Sequence, residues 1–219
     1  MQNDDLPMND PTPHLSPTAT RLLEAAKRVL ARDGFRGLTF ESISRESGEN
    51  QALIRYHFGN KAGLISTLID SVMYLEAVEF IDALSAAPAG AERGLALLQL
   101  HRKVARELEA YRMYYELVPE LVRDDELREH FRRLLEWYRK LDAWALAPSA
   151  DSDWASKLEP LALLTVALAD GIALQVQADP DLDIDAACDL HEMLVSGYLK
   201  SLGASRIPER DSDRASFAR

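Results

Sequence analysis

The chain of 219 residues contains one cysteine, Cys188. It can close no intrachain disulfide and offers no cysteine framework for a metal. It also lacks a glycine-rich phosphate loop, a nucleophile elbow and any metal-ligand spacing. Nothing in it suggests an enzyme, and neither a cofactor nor a metal is expected. There is no internal repeat and no strand-like alternation, so the expected class is all-α. No uninterrupted apolar run of about 18 residues occurs, which predicts no membrane crossing. Met1 to Pro17 carries Asp4, Asp5 and Asp10 but no Lys or Arg, the wrong charge for a secretory leader. A cytoplasmic location is the expectation. Positive charge is scarce overall: 25 Lys and Arg stand against 36 Asp and Glu, for a net charge of −11. Such an acidic chain resists non-specific attachment to nucleic acid.

The charge is unevenly placed. Residues 18–64 hold eight basic side chains (Arg21, Lys27, Arg28, Arg32, Arg36, Arg45, Arg55, Lys61) and five acidic ones, a local +3 against −14 elsewhere. Within this basic segment, Thr39 to Lys61 reads as two short helices around a tight turn. Thr39 is a helix N-cap type. Phe40 and Ile43 share an inward face. Gly48 suits the left-handed residue that ends a helix, and Asn50 is a second cap. On the helix from Gln51, Ile54 and Phe58 lie four apart and form the buried side, so Ala52, Arg55 and Tyr56 point away, with Gln51 at the edge. This is the geometry of a helix-turn-helix whose second helix enters a major groove. The small Ala52 permits close approach to base edges, Arg55 suits guanine or phosphate, and Gln51 suits adenine. Tyr56 and Lys61 suit phosphates, which position without specifying. The candidate DNA-contacting residues are Thr39, Asn50, Gln51, Ala52, Arg55, Tyr56, His57 and Lys61. The competing reading is a helical hairpin with a solvated polar face.

These residues resemble the DNA-binding head of the TetR (tetracycline-repressor-like) family of bacterial regulators. The likeness runs from Arg21 to Leu64, through Leu22-Leu-Glu-Ala-Ala, Gly34-Phe-Arg-Gly-Leu-Thr39 and Tyr56-His-Phe-Gly-Asn-Lys61. It departs from the family pattern at Arg55, where tyrosine is usual, and at Asn50-Gln51, where lysine or serine-lysine is usual. Both departures fall on base-reading positions. The resemblance implies an all-α homodimer with an N-terminal three-helix head and a C-terminal helical domain for ligand binding and dimerisation. It also implies repression relieved by a small-molecule effector, on double-stranded DNA with a near-palindromic operator.

Along the chain, residues 1–17 read as a flexible proline-containing arm, 18–64 as the DNA-binding domain, 65–203 as the ligand-binding and dimerisation domain, and 204–219 as a polar tail. Ser16 and Pro17 fit the cap and first residue of a helix that stops at Gly34. Further helices are expected over Lys61 to about Leu84, Ala91–Leu108, Asp125–Leu146, about 154–178 and about 184–202. The helix of 154–178 is apolar around much of its circumference and must be covered on more than one side. The homodimer partner is the simplest cover, and in the resembled family the last two long helices form a four-helix bundle with it. Leu168-Ala-Asp-Gly-Ile-Ala-Leu-Gln175, followed by Asp179-Pro180, is similar to the betaine-regulator-like branch of the family.

Tyr111, Tyr114 and Tyr115 form an aromatic cluster with charged neighbours. Such a cluster suits either a small-molecule pocket or ordinary core. Arg112, Tyr115, Trp137 and Asp170 are the candidate ligand-binding residues. His101 and His191 read as isolated histidines of core or surface. An interaction protein that keeps the fold but reads no DNA is the other alternative, left open by Glu49 and the unusual Arg55.

Overall fold

The computed structural model describes residues 15–149 and 153–203. The expected tail of 204–219 lies outside these residues, as does the arm of 1–17 except for its last three positions. Among the described residues the chain forms nine α-helices and no strand. They are α1 (Pro17–Gly37), α2 (Phe40–Ser47), α3 (Gln51–Phe58), α4 (Lys61–Ala86), α5 (Ala91–Val104), α6 (Leu108–Arg123), α7 (Asp125–Leu146), α8 (Asp153–Ala178) and α9 (Asp185–Ser201).

The head is α1 to α3 with the start of α4. Ser16 caps α1 by accepting from the Ala19 N–H at 3.2 Å, and Pro17 fills the first turn. Helical backbone gives out at Gly34 (φ 66°), the expected stop, before a short final turn to Gly37. Leu22, Leu23, Ala26, Val29 and Leu30 are buried on one face of α1, and Ile43, Ile54, Phe58, Leu64 and Leu68 bury with them. Thr39 caps α2 reciprocally: its Oγ1 accepts from the Ser42 N–H at 3.1 Å, and Ser42 Oγ accepts from the Thr39 N–H at 3.0 Å. Gly48 sits in the left-handed region (φ 74°) and turns the chain towards α3. Asn50 then caps α3 through Ala52 N–H at 2.8 Å.

A fourth cap escaped the sequence reading. Asn60 accepts from the Gly63 N–H at 2.8 Å and starts α4 immediately after α3. The turn is so tight that a Cβ at Gly63 would lie 2.1 Å from the Phe58 carbonyl oxygen. Backbone cannot yield that much without opening the α3–α4 angle. Gly63→Ala is therefore expected to destabilise the head by about 1–3 kcal/mol and to weaken DNA binding. Thermal unfolding and DNA titration of the variant check this; unchanged values in both would show that the turn relaxes freely.

The body departs from the sequence reading in three places. The helix expected over Ala91–Leu108 ends at Val104, and α6 begins afresh at Leu108 after a turn. Arg102 and Lys103 lie in the last turn of α5, where positive charge is favourable against the helix dipole. The aromatic stretch from Tyr111 is part of a continuous helix, α6, which carries Pro119 inside it. Finally, Ser156–Ala178 reaches mean hydropathy 1.6 over its best window, apolar and long enough by composition to span a membrane. The expectation from uninterrupted runs missed this because Glu159 and Asp170 break the run without lowering the average enough. Only 33% of that window is buried. One side of α8 packs on α7 through Leu158, Leu161 and Ala162, and the other stays open.

Head and body are joined by more than the shared helix α4, inside which the expected boundary at residue 64 falls. Helix α1 packs on α6, and the Phe35 N–H donates to Glu116 Oε2 at 3.3 Å. On α4, Asp70 meets His130 of α7 at 2.7 Å.

Candidate DNA-reading head and ligand-binding core

The outward face of α3 is as the periodicity predicts at its centre. Ala52, Arg55 and Tyr56 are exposed, Tyr56 to 80%. Gln51, expected at the edge of this face, and His57, expected to be exposed, are half-buried. His57 leans edge-on against Tyr56 with ring centroids 4.9 Å apart, which takes part of its surface out of water. Thr39, Asn50 and Lys61 are exposed at the helix ends.

The cations of this face are held by aromatic rings rather than carboxylates. The Arg55 guanidinium lies 5.3 Å from the Phe40 ring centre, and the Lys61 ammonium 4.2 Å from that of Phe35. A ring orients a cation without neutralising it, so both keep their charge for an incoming phosphate. The other side of the head is different. Arg21 meets Glu49 at 2.7 Å, Arg28 meets Glu46 at 2.8 Å, and Arg32 meets Glu46 at 2.9 Å and Asp33 at 3.0 Å. These hydrogen bonds hold the Asp33 and Glu46 carboxyls below the ordinary range, Asp33 chiefly through Arg32 and Glu46 through Arg32 and then Arg28. Positive charge is thus cancelled along α1 and left available near α3. Glu49, whose charge seemed out of place beside a recognition helix, is neutralised by Arg21.

The candidate ligand residues do not form one group. Arg112 is exposed and lines a groove of about 420 Å³ between head and body, with Arg32, Gly34, Glu109 and Glu116. Tyr115 and Asp170 do meet: the Tyr115 hydroxyl donates to the Asp170 backbone oxygen at 2.6 Å. Burial pushes the Asp170 carboxyl up to about 6, while a hydrogen bond from Tyr114 pulls the other way. The Tyr111, Tyr114 and Tyr115 rings lie 5.2–5.9 Å apart, with Phe131 beyond Tyr114. Trp137 is half-buried on α7, and its indole N–H is buried without a hydrogen-bond partner.

The sequence reading missed Asp142. This α7 residue is fully buried, and neither carboxylate oxygen has a hydrogen-bond partner. His101 of α5 places its Nε2 3.6 Å from Oδ1, beyond hydrogen-bonding reach. Burial, then the charge of Asp170, raises the Asp142 carboxyl well above the ordinary range. Burial, then His191, pushes the His101 imidazole down to about 3. His101 is therefore neutral near pH 7, and the contact is not an ion pair. A signal for Asp142 was present: it follows Tyr138 by four residues, so the stripe of Phe131, Leu134, Leu135 and Tyr138 carries it into the core.

These groups give stability a pH dependence of opposing signs. The raised Asp142 carboxyl keeps a proton that the unfolded chain releases, so its contribution falls as pH rises above about 4. The depressed His101 refuses a proton that the unfolded chain takes up, so its contribution is lost as pH drops below about 6.5. Asp142→Asn removes the first effect only. It is expected to match the wild type near pH 4 and to gain stability steadily above it, measured by denaturant unfolding between pH 4 and 8. A variant less stable than wild type at pH 8 would mean that the carboxylate has a partner in the folded protein.

The comparisons with known proteins agree with this geometry. Residues 22–68 match the family described as "Bacterial regulatory proteins, tetR family". The HTH-type transcriptional regulator BetI of Rhizobium meliloti (strain 1021) is 26% identical over 189 residues, covering 85% of this chain and 92% of that protein. The solved structure of a transcriptional regulator from Rhodococcus sp. RHA1 superposes with a TM-score of 0.65 at 18% identity, covering 88% of this chain and 100% of the other. NalD of Pseudomonas aeruginosa, the secondary repressor of the MexAB-OprM multidrug efflux pump, gives 0.57 at 19% identity over 86% and 96%. The fold is thus a helix-turn-helix head on an all-α C-terminal domain. Residues 22–68 thus match the DNA-binding head of the TetR family, and the chain is similar over most of its length to a helix-turn-helix transcriptional regulator.

Proposed function

We propose that the protein is a homodimeric repressor that leaves a near-palindromic operator when a small molecule occupies its C-terminal domain. The observation that carries the DNA half is the α3 face: Ala52, Arg55 and Tyr56 are exposed, and Arg55 and Lys61 are steadied by Phe40 and Phe35 with their charge intact. In this reading Arg55 and Gln51 reach base edges, while Thr39, Asn50, Tyr56, His57 and Lys61 address the backbone. The neutralised Glu49 weakens the alternative of a fold that reads no DNA.

The homodimer reading is supported by an apolar stripe on α8 and α9. Leu163, Leu164, Leu174, Leu190, Met193 and Leu194 are each more than half exposed. A soluble monomer seldom presents so many large apolar side chains together. Gly171 and Gly197 add room, since a Cβ at either would meet nothing within 4 Å. Two such faces would form a four-helix bundle. NalD is a repressor, and repression is the mode the family resemblance implies.

Effector release needs a path from body to head. The α1–α6 packing, the Phe35–Glu116 hydrogen bond and the length of α4 supply one, and an effector acts only through a difference in affinity between two head spacings. Tyr115, Asp170 and Trp137 belong to the core in which an effector would sit, while Arg112 faces the groove between head and body. The test is fluorescence anisotropy on DNA from upstream of the protein's own gene, at two salt concentrations. Saturable binding that weakens steeply with salt is expected. A monomer that binds no DNA at low salt, in this assay and in a random-sequence selection, would overturn the proposal.

A further inference from the structure

We infer that Asp142 is the recognition group for an organic cation carrying N–H donors, a primary ammonium or an amidinium, which enters the C-terminal core between α5, α7 and α8. This rests on the reading of that domain as the effector-binding one. Folded proteins rarely leave a buried carboxylate without donors. Here both oxygens of a fully buried carboxylate lack them. Its neighbours cannot make good the deficit. His101 stands 3.6 Å away and stays neutral, its Nδ1 also unpartnered. Asp170 is a second acid, and its charge disfavours the ionised form of Asp142 further.

Arginine is present nearby but engaged. Arg102, on the same helix as His101, is turned to α9, where it bonds Asp189 and lies 3.6 Å from both Asp185 and Glu192. The site therefore has two acids, hydroxyl and ring surface from Tyr114 and Tyr115, and no resident cation among the described residues.

A ligand that supplies both charge and N–H groups completes it. Each ligand N–H donates to a carboxylate oxygen that now has no donor, and the ligand's charge lets Asp142 ionise beside Asp170. A quaternary ammonium provides charge without donors, and an alcohol provides a donor without charge. The void beside His101, Ala169, Ile172 and His191 holds only about 10 Å³, no more than one water. The cation must therefore bind a state in which α5 and α8 have moved apart. Binding is thereby linked to a change of helix packing in the domain, which is what an effector needs.

The experiment is thermal unfolding of the full-length protein with n-butylammonium, tetramethylammonium and 1-butanol, each at matched ionic strength, for the wild type, Asp142→Asn and Asp170→Asn. Calorimetric titration of n-butylammonium in two buffers of different ionisation enthalpy accompanies it. The expected result is a saturable rise in Tm with n-butylammonium, exceeding those with the other two probes, and proton release on binding. In Asp142→Asn, affinity should fall roughly tenfold or more, the loss of charged hydrogen bonds. Asp170→Asn should also weaken binding; it serves as the test variant if Asp142→Asn does not fold. Equal responses to n-butylammonium and tetramethylammonium would overturn the N–H requirement. No response to any cation, or an unchanged response in both variants, would overturn the site. DNA anisotropy in the same samples separates the two readings. Cation binding that leaves DNA affinity unchanged counts against effector release and for the site. DNA release by other compounds, without any ammonium response, does the reverse.

Discussion

Leu164→Asp combined with Leu194→Asp will convert the protein to a monomer and abolish operator binding at physiological salt. The two leucines are 65% and 62% exposed, on α8 and α9, with no cover among the described residues. Exposure makes the test clean. Aspartate at an exposed site costs a folded monomer little, so helix content and monomer stability should hold. In a dimer interface each carboxylate would be buried opposite its symmetry mate, a like-charge pair without partners, and the interface cannot form. Losing one of two linked heads removes roughly 10²–10⁴-fold in affinity. Sedimentation at several concentrations and DNA anisotropy measure the two effects together. A variant that stays dimeric would place the partner elsewhere; a monomer that binds DNA undiminished would remove the dimer from the mechanism.

Arg55→Ala with Tyr56→Ala will cost nearly as much without touching the assembly. A good arginine contact to a base is worth about 1–3 kcal/mol, roughly tenfold to a hundredfold for one head, and a dimer carries two. The expected outcome is a dimer of native stability that no longer discriminates its operator from random DNA. The single changes should separate the roles. Arg55→Ala should relax preference at one position in each half-site, whereas Tyr56→Phe should weaken all sequences alike. Gln51→Ala should do less, because Gln51 is half-buried in the free protein. Equal binding to operator by wild type and double variant would return the head to the competing reading, a hairpin with a solvated face.

What was legible in the sequence is what local rules control. Cap side chains bond to backbone within three residues, and helical faces repeat with the turn. Ser16, Thr39 and Asn50 therefore cap as expected, Ile54 and Phe58 bury, and Arg55 and Tyr56 face out. Even a missed cap such as Asn60 is a local feature that closer reading would find. The excess of apolar residues around α8 also followed from periodicity, which shows that a helix needs more than one cover without saying which residues each cover takes.

Tertiary structure decided the rest, because burial and charge depend on which helices meet. The stripe of α7 carries Asp142 inward, but which groups from the other helices surround it, and that none donates to it, is a matter of packing. Arg21 and Glu49 are 28 positions apart, so no spacing rule links them, yet their pairing leaves the positive charge at α3 undiminished. Arg112 is two positions from the buried Tyr114 but faces the groove between head and body, since two helical positions differ by about 200° in direction. The sequence by itself determined the helices and caps of the head, the outward face of α3 and the family resemblance. The three-dimensional packing determined which acid is left without a partner and which leucines await one, because solvent access is a property of the assembled helices and not of any one of them.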